Sequence, residues 1–248
     1  MFCQLTFIVI FALDMGREKI FHFKQFSVLN DKTAMKVGTD GVLLGAWCSV
    51  KGARRVLDVG TGSGLIALMV AQRNNDAIIH GIDIDGNAID EARYNFEASP
   101  WNARLSAEIA DFNDFKGENY DLIVSNPPFF NNGVLPPDAG RNLARHTTSL
   151  TIEALLTRSR NLIAPNGMIA IITPADVELA VRRCMVSLGL GLLRFTRVVP
   201  VAGAPTKRLL WEMVVGDATT ETSTLTIAGS DRAYSDEYKE LTSGFYLH

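Results

Sequence analysis

From residue 53 onward, short apolar runs typical of buried strands alternate with helical patterns. The last two predicted strands have no helix between them, so they should form an antiparallel hairpin. Alternation of this kind is typical of an α/β fold built on a doubly wound parallel sheet. The sequence therefore predicts a Rossmann-like, mostly parallel, seven-stranded sheet with an antiparallel final hairpin strand. Its predicted strands are 55–59, 78–84, 105–109, 120–124, 168–173, 192–201 and 208–215, and its predicted helices are 65–72, 88–98, 152–163 and 175–188.

The flanks of this unit divide the 248-residue chain into four parts. Residues 53–217 form the main α/β unit, 15–52 are a lead-in, and 218–248 are a C-terminal tail of the same domain. Residues 1–14 hold an apolar run, 5–13, that is too short to span a bilayer. Because Met15 and the charged residues after it resemble an ordinary cytosolic N-terminus, we expect 1–14 to be a misassigned upstream start and the protein to be cytoplasmic. A membrane anchor is the alternative.

A glycine-rich turn, Asp58-Val59-Gly60-Thr61-Gly62-Ser63-Gly64, joins the first predicted strand of the α/β unit to its helix. Glycines at such a turn let the backbone approach a ligand closely. The third glycine comes one residue too early for the dinucleotide fingerprint GxGxxG. S-adenosylmethionine (SAM) has no phosphate, and a carboxylate such as Asp58 can receive its ammonium group. The turn therefore favours SAM over NAD as the cofactor.

Acidic residues also end the next two predicted strands. Asp83 lies at the carboxyl end of the second strand, where a carboxylate can accept hydrogen bonds from both ribose hydroxyls of a nucleoside. Asp111 ends the third strand and is a candidate acceptor for an adenine amino group. Asp85, just before Gly86-Asn87, is better explained as a helix N-cap.

The fourth predicted strand leads into Asn126-Pro127-Pro128-Phe129. Open α/β sheets bind ligands beyond the carboxyl ends of their strands. The amino group of a nucleobase is planar and a poor nucleophile. The Asn126 oxygen and a backbone carbonyl could accept its hydrogens and draw the nitrogen toward tetrahedral geometry, while the prolines fix φ and Phe129 offers a stacking face. This corner predicts methylation of a planar amine.

Charge and metal-ligand patterns limit the possible partners. The stretch 141–210 holds ten basic and three acidic residues, although the whole chain has a formal net charge of −3. A basic face of this kind suits phosphates, although charge clustering along amphipathic elements would give the same count. The three cysteines and four histidines are scattered, so no structural metal is expected.

Several motifs together resemble the bacterial valine-tRNA (adenine-37 N6) methyltransferases, a family of class I SAM-dependent enzymes. The resemblance covers about residues 20–248. Besides the glycine turn and Asn-Pro-Pro-Phe, it rests on Phe-Lys-Gln-Phe at 23–26, Ala-Met-Lys-Val-Gly-Thr-Asp-Gly at 34–41, Ala-Arg-His-Thr-Thr at 144–148 and the tail from Tyr234. The resemblance implies SAM-dependent methylation of adenine N6 in tRNA.

The resemblance also implies roles for individual residues. The loop Lys36–Asp40, with Thr39, would close over the methionine end of SAM, and Gly60, Gly62 and Gly64 would lie beneath the cofactor. Asn126, Pro127, Pro128 and Phe129 would hold the target base; the family can carry Tyr at the fourth position, so Phe129 lacks one hydroxyl. The candidate tRNA contacts, each equally well explained as a solvated surface charge, are Arg141, Arg145, His146, Lys207 and Arg208.

Four other functions are compatible with parts of the pattern. The same Asn-Pro-Pro-aromatic corner serves methylation of guanine N2 in rRNA or of a glutamine amide in proteins. An NAD-dependent oxidoreductase is less well supported, because the dinucleotide glycine and a Tyr-x-x-x-Lys pair are missing. A SAM-binding protein without catalysis would not need Asn126 and Pro127.

Overall fold

The computed structural model describes residues 20–33, 35–127 and 150–247. Residues 1–14 of the sequence prediction lie outside this part of the chain. The strands are β1 (Ile20–His22), β2 (Ser27–Leu29), β3 (Arg55–Val59), β4 (Ile78–Asp83), β5 (Leu105–Ile109), β6 (Tyr120–Ser125), β7 (Ile163–Pro174), β8 (Leu190–Val201), β9 (Arg208–Val215) and β10 (Glu221–Ala228). The helices are α1 (Thr39–Trp47), α2 (Leu65–Arg73), α3 (Gly86–Glu97), α4 (Ile152–Leu162), α5 (Glu178–Leu188) and α6 (Asp236–Thr242), with short 3-10 helices at Asn102–Arg104 and Ala175–Val177.

The large sheet has the strand order β10-β8-β9-β7-β6-β3-β4-β5. Strands β3 to β7 run parallel to one another, and β9 is antiparallel to both β7 and β8. The predicted Rossmann-like topology and its antiparallel hairpin are therefore confirmed. Among the described residues, no helix is long and apolar enough to cross a membrane.

The central strands are mostly apolar because helices cover both faces of the sheet. Val56 of β3 packs in one cluster, with buried residues of α1, α2 and α3. Leu57, the next residue, packs in the other cluster with Leu155 of α4 and Val181 of α5. Successive side chains of a strand point to opposite faces, so one helical layer packs on each face of the sheet. The ends of the strands are left for a site.

Within the described residues, the sheet has eight strands rather than the predicted seven. The additional strand, β10, lies in the segment predicted to be a tail and pairs in parallel with β8, from Glu221↔Arg194 to Ala228↔Val201. Most of β10 is exposed or half-buried. Because an edge strand of this kind needs few apolar side chains, its sequence lacks the apolar run that marked the other strands.

The lead-in and the tail pack together beside the sheet. The hairpin of β1 and β2 stacks Phe23 on Phe26 at 4.6 Å between ring centroids. The backbone N–H of Lys24 donates to the carbonyl of Phe245 at 2.8 Å, and Tyr246 stacks on Phe23 at 6.0 Å. These contacts fix the start of the lead-in, so that the next residues run toward the carboxyl ends of the parallel strands.

Candidate active site

The glycine turn and the corner that begins at Asn126 lie next to each other, at the edge of the sheet formed by the carboxyl ends of the parallel strands. β3 and β6 are adjacent and parallel, and Val59 is in register with Ser125. The Ser125 hydroxyl donates to the Val59 carbonyl at 2.8 Å. The glycine turn begins after Val59 and the Asn-Pro-Pro corner after Ser125. Adjacent strands lie about 4.8 Å apart, so Gly60 and Asn126 lie side by side.

The three glycines of the turn have different surroundings. Gly60, Gly62 and Gly64 all have positive φ, of 70°, 56° and 84°, a region that favours glycine. A Cβ on Gly60 would meet no described atom within 4 Å, whereas one on Gly64 would overlap the Phe96 ring of α3. Gly60 therefore offers an open backbone surface, Gly62 lies next to the Thr33 methyl, and Gly64, expected beneath the cofactor, packs against α3.

Asp58 lies under the turn with no exposed surface. Its Oδ2 accepts hydrogen bonds from the Thr61 hydroxyl at 2.7 Å and from the Ala67 N–H at 3.2 Å. Its buried Oδ1 has no hydrogen-bond partner among the described residues. Burial raises the pKa of Asp58 to about 7, although the bonds from Thr61 and Ala67 act to lower it. Asp58 supports the turn through Thr61 and Ala67, and its contact with the ammonium group of SAM stays a prediction.

Asp83 connects the end of β4 to the glycine turn. Its Oδ2 accepts a hydrogen bond from the Gly62 N–H, and its Oδ1 accepts one from the Asp85 N–H, both at 3.0 Å. Burial raises its pKa, while these backbone donors act in the opposite direction. Each carboxylate oxygen can accept a further hydrogen bond. Asp85 itself caps α3 by accepting from the Asn87 N–H, as the sequence predicted.

Apolar side chains flank the acidic residues at the ends of β4 and β5. Ile84, next to Asp83, is 61% exposed, and Ile109, at the end of β5, is 59% exposed. Asp111 is half-buried, and its Oδ1 accepts from the backbone and side-chain amides of Asn113. Two exposed isoleucines beside a carboxylate suit a flat apolar ring with a polar edge, and the sequence analysis did not identify either isoleucine.

Asn126 contacts the lead-in. Its Nδ2 donates to the Met35 sulfur at 3.4 Å, which leaves Oδ1 as its remaining acceptor. Pro127 is buried, so the backbone after Asn126 is anchored. Met35 is 49% exposed and gives this corner an apolar neighbour.

Other lead-in residues lie close to the turn or to the start of α1. The Thr33 methyl is the atom nearest to a Cβ built on Gly62, at 3.6 Å. Lys36 donates from Nζ to the carbonyls of Asn30 and Asp31, at 3.2 and 2.9 Å. The predicted loop Lys36–Asp40 is only partly a loop, because Thr39 and Asp40 form the first turn of α1. The buried apolar residues that follow them drive this helix.

Arg208 and Asp40, assigned by the sequence to different ligands, form an ion pair. Arg208 Nε donates to Asp40 Oδ2 at 2.7 Å, and both side chains are about one-third exposed. Lys207 is exposed, and its backbone carbonyl accepts from the Ala175 N–H at 3.2 Å. Since Pro174 ends the parallel strand β7, this hairpin lies at the same edge of the sheet as the glycine turn.

Some predicted residues lie outside the part of the chain that the structure describes. These are Pro128, Phe129, Arg141, Arg145 and His146. The described residues contain no group of three or more His, Cys, Asp or Glu side chains that could hold a metal ion.

Two buried polar residues on α3, Glu91 and Asn95, were not predicted from the sequence. Glu91 accepts hydrogen bonds from the lead-in, and Asn95 bonds both the lead-in and the glycine turn. The sequence does contain a pattern that could have predicted them. Both residues fall on the apolar face of an amphipathic helix, beside the buried residues Ala88, Ala92 and Phe96. A polar residue at such a position requires a partner.

The described residues fit SAM. Gly60 leaves open space where a Cβ would project, Asp83 offers two oxygens to a ribose, and Ile84 and Ile109 offer apolar surface to an adenine. Fold and site together define a methyltransferase of the SAM-dependent, Rossmann-like class. Solved structures share the fold, among them a protein described as a predicted O-methyltransferase from Agrobacterium tumefaciens, with TM-score 0.65, 18% identity, and coverage of 85% of this chain and 98% of that one.

Comparisons of the sequence identify the family. Residues 38–181 match the family model described as methyltransferase small domain. The tRNA1(Val) (adenine(37)-N6)-methyltransferase of Aeromonas hydrophila is 44% identical over 94% of this chain and 99% of its own length. The enzyme of the same name from Bacteroides fragilis is 43% identical over 93% and 98%. The chain belongs to the family of tRNA1(Val) (adenine(37)-N6)-methyltransferases.

Proposed function

We propose that this chain transfers a methyl group from SAM to N6 of an adenine in tRNA, and that its target is adenine 37 of valine tRNA. The names of its relatives support the substrate. The structural observation that carries the proposal is the register of Val59 with Ser125, which places the glycine turn beside Asn126. A tRNA substrate also supports a cytoplasmic location.

SAM, when bound, supplies a methyl group on a positively charged sulfonium. Gly60 and Gly62 would lie along the cofactor, Asp83 would accept from its ribose hydroxyls, and Asp111 would accept from its adenine amino group. Asp58 would keep the turn in its open conformation through Thr61. Lys36, Thr39 and Asp40 would lie at the methionine end, and Gly64, which packs on α3, would lie beneath the cofactor with its backbone.

The chemistry assigned to this chain consists mainly of alignment. The Asn126 Oδ1 would accept one hydrogen of the adenine amine, and a backbone carbonyl of the Pro127–Pro128 corner would accept the other. The lone pair of the nitrogen is then directed away from the ring plane. No base is needed before transfer, because the amine becomes acidic only once it carries the methyl group. Positioning and the fixed dipoles of the corner provide the rate enhancement.

The tRNA side of the proposal includes residues at the same edge. Lys207 and Arg208 in the β8–β9 hairpin would contact phosphates, together with Arg141, Arg145 and His146, while Phe129 would stack on the base. As domains, we propose a lead-in at 15–52, the SAM-dependent methyltransferase domain at 53–217, and a tail at 218–248 that completes the same domain.

Methyl transfer to a defined RNA tests the function. Unmodified valine tRNA transcript is incubated with the protein and labelled SAM, and the RNA is digested for nucleoside mass analysis. We expect N6-methyladenosine, and no label in a matched transcript with guanosine at position 37. N2-methylguanosine, or label only in protein, would contradict the proposal.

A further inference from the structure

Glu91 of α3 holds the lead-in through four hydrogen bonds to three consecutive residues. Its Oε1 accepts from the N–H groups of Asp31 and Lys32, at 2.7 and 2.5 Å. Its Oε2 accepts from the N–H of Thr33, at 3.0 Å, and from the Thr33 hydroxyl. Only 4% of Glu91 is exposed. A buried carboxylate is costly unless it is fully hydrogen-bonded, and these donors satisfy it.

The ionised state of Glu91 fits these contacts. Burial acts to raise the pKa of the Glu91 carboxyl, but hydrogen bonds from Thr33, Lys32 and Asp31 outweigh it, and the net shift is downward. A carboxylate that accepts several backbone donors is stabilised in its charged form. Glu91 therefore accepts all four hydrogen bonds at neutral pH.

Asn95 continues the same attachment one helical turn later. Its side chain donates to the carbonyl of Leu29 at 2.9 Å and accepts from the Leu29 N–H at 2.7 Å. It also donates to the carbonyl of Ser63, within the glycine turn, at 2.8 Å. Residues four apart share a helix face, so Glu91 and Asn95 together join the lead-in to the glycine turn.

The segment held in this way reaches both parts of the candidate site. Thr33 lies against Gly62, and Met35 accepts a hydrogen bond from Asn126. Further bonds fold the segment on itself, because the Asn30 side chain donates to the Met35 carbonyl at 3.3 Å and Lys36 donates back to the carbonyls of Asn30 and Asp31. The position of Met35 beside Asn126 thus depends on where residues 31–33 are held.

We propose that Glu91 is a positioning residue for methyl transfer: it holds residues 31–33 so that Thr33 lies on the cofactor turn and Met35 lies on Asn126. Glu91 contacts neither reactant and acts through the lead-in. The inference rests on the proposed function for its effect on turnover, but its effect on SAM binding needs only the cofactor site.

The test replaces Glu91 with glutamine. E91Q keeps the size of the side chain but turns one acceptor oxygen into an NH2 group that faces N–H donors. E97Q, an exposed position on the same helix, is the matched control. The measurements are the Kd of SAM by calorimetry, kcat and KM for SAM and tRNA, and hydrogen exchange of the amides of residues 31–33.

We expect E91Q to raise the Kd and KM for SAM about tenfold, as when the binding-competent lead-in is populated about a tenth of the time. Because saturating SAM selects the competent lead-in, kcat should stay within about twofold of the wild type, and KM for tRNA and exchange within β3 and β6 should not change. The amides of residues 31–33 should exchange faster, and E97Q should match the wild type throughout. A purely structural role would lower the free energy of unfolding without raising the Kd and KM for SAM relative to kcat.

Wild-type SAM affinity and wild-type exchange at residues 31–33 in E91Q would overturn the inference. If E91Q does not fold, T33V, which removes only the hydroxyl donor, decides: a weaker SAM affinity supports the positioning role, and an unchanged affinity refutes it. If the wild-type protein methylates no tRNA adenine, the proposed function fails, but SAM affinity and exchange still decide the role of Glu91.

Discussion

Asn126 is the residue on which the assigned chemistry depends. Its amide nitrogen is bonded to Met35, which leaves its oxygen as the acceptor for a base amine. Asn126→Ala should therefore abolish methyl transfer to tRNA, while the Kd for SAM stays within a few-fold of the wild type. The matched control is Asn102→Ala, an exposed position that precedes β5 at the opposite edge of the sheet. Undiminished turnover in Asn126→Ala would refute its role.

Asp83 is the residue on which the proposed binding of the SAM ribose depends. Asp83→Ala removes the carboxylate proposed to accept from the ribose hydroxyls and also the acceptor of the Gly62 N–H. We expect SAM binding to weaken by about 1.5–3 kcal/mol, the range for hydrogen bonds to a charged group, measured by calorimetry. Asp90→Asn, exposed on α3, should leave the affinity unchanged. An unaltered Kd in Asp83→Ala would contradict the ribose assignment.

Asp58 makes stability depend on pH in a direction that can be calculated. Burial raises its pKa from 3.8 to about 7 in the folded chain. Between these pH values the folded state holds the proton and the unfolded state does not, so the free energy of unfolding falls as pH rises through this window.

Asp58→Asn has no proton to lose, so it isolates this effect. Urea denaturation from pH 4 to pH 8 should show the wild type losing stability relative to Asp58→Asn, by up to roughly 4 kcal/mol. A difference that stays constant over this range would show that the buried carboxyl keeps an ordinary pKa.

At the scale of elements, an ion pair between β8 and β9 also holds the C-terminal end of α1. Glu212 of β9 is 1% exposed and accepts from Arg194 Nε at 3.0 Å and from the Ser49 N–H at 2.5 Å. Arg194 also stacks on the Trp47 ring at 3.9 Å. Removing one partner of a buried pair leaves the other charge uncompensated.

Glu212→Gln should therefore lower the free energy of unfolding by about 3 kcal/mol, measured by chemical denaturation. Glu221→Gln at the exposed start of β10 is the control, and we expect it to change stability by less than about 0.5 kcal/mol. Equal stability of the two variants would show that the Glu212 network contributes little.

The sequence predicted the elements whose apolar residues form a clear run or period, and missed those without such a pattern. β3 and β6 are mostly apolar because both of their faces are covered, and their sequences indicate this directly. β10 is polar and lies at an edge, and α1 has apolar residues on nearly every side. The helical period of α1 is therefore hidden, and its first residues, Thr39 and Asp40, were predicted as part of the loop Lys36–Asp40.

Some residues of the candidate site could likewise be predicted from the sequence, and others could not. The glycine turn and Asp83 were predictable because they occupy fixed places relative to a strand end. The pairing of Asp40 with Arg208 was not, since the two residues are 168 positions apart in the sequence. The four bonds of Glu91 depend on the path of the lead-in across α3, which no local pattern in the sequence defines.

At the scale of the whole molecule, the carboxyl-end edge of the sheet also carries a cation proposed to contact tRNA phosphates. Lys207 is exposed in the β8–β9 hairpin. Lys207→Ala should weaken tRNA binding and reduce the slope of log K against log salt by about 0.7–0.9, the value for one phosphate contact. Lys51→Ala, exposed before β3 and thus at the opposite edge, is the control. Identical salt slopes in all three proteins would exclude Lys207 as a phosphate contact.

The account as a whole requires the cofactor and the target amine to meet between Gly60 and Asn126. A crystal structure of the protein with S-adenosylhomocysteine tests this most directly. We predict its ribose hydroxyls on the Asp83 carboxylate and its sulfur on the Asn126 side of the turn, with room for a nitrogen roughly 3–3.5 Å from a transferred methyl carbon. A ligand whose ribose lies away from Asp83, or whose sulfur faces away from Asn126, would contradict the account.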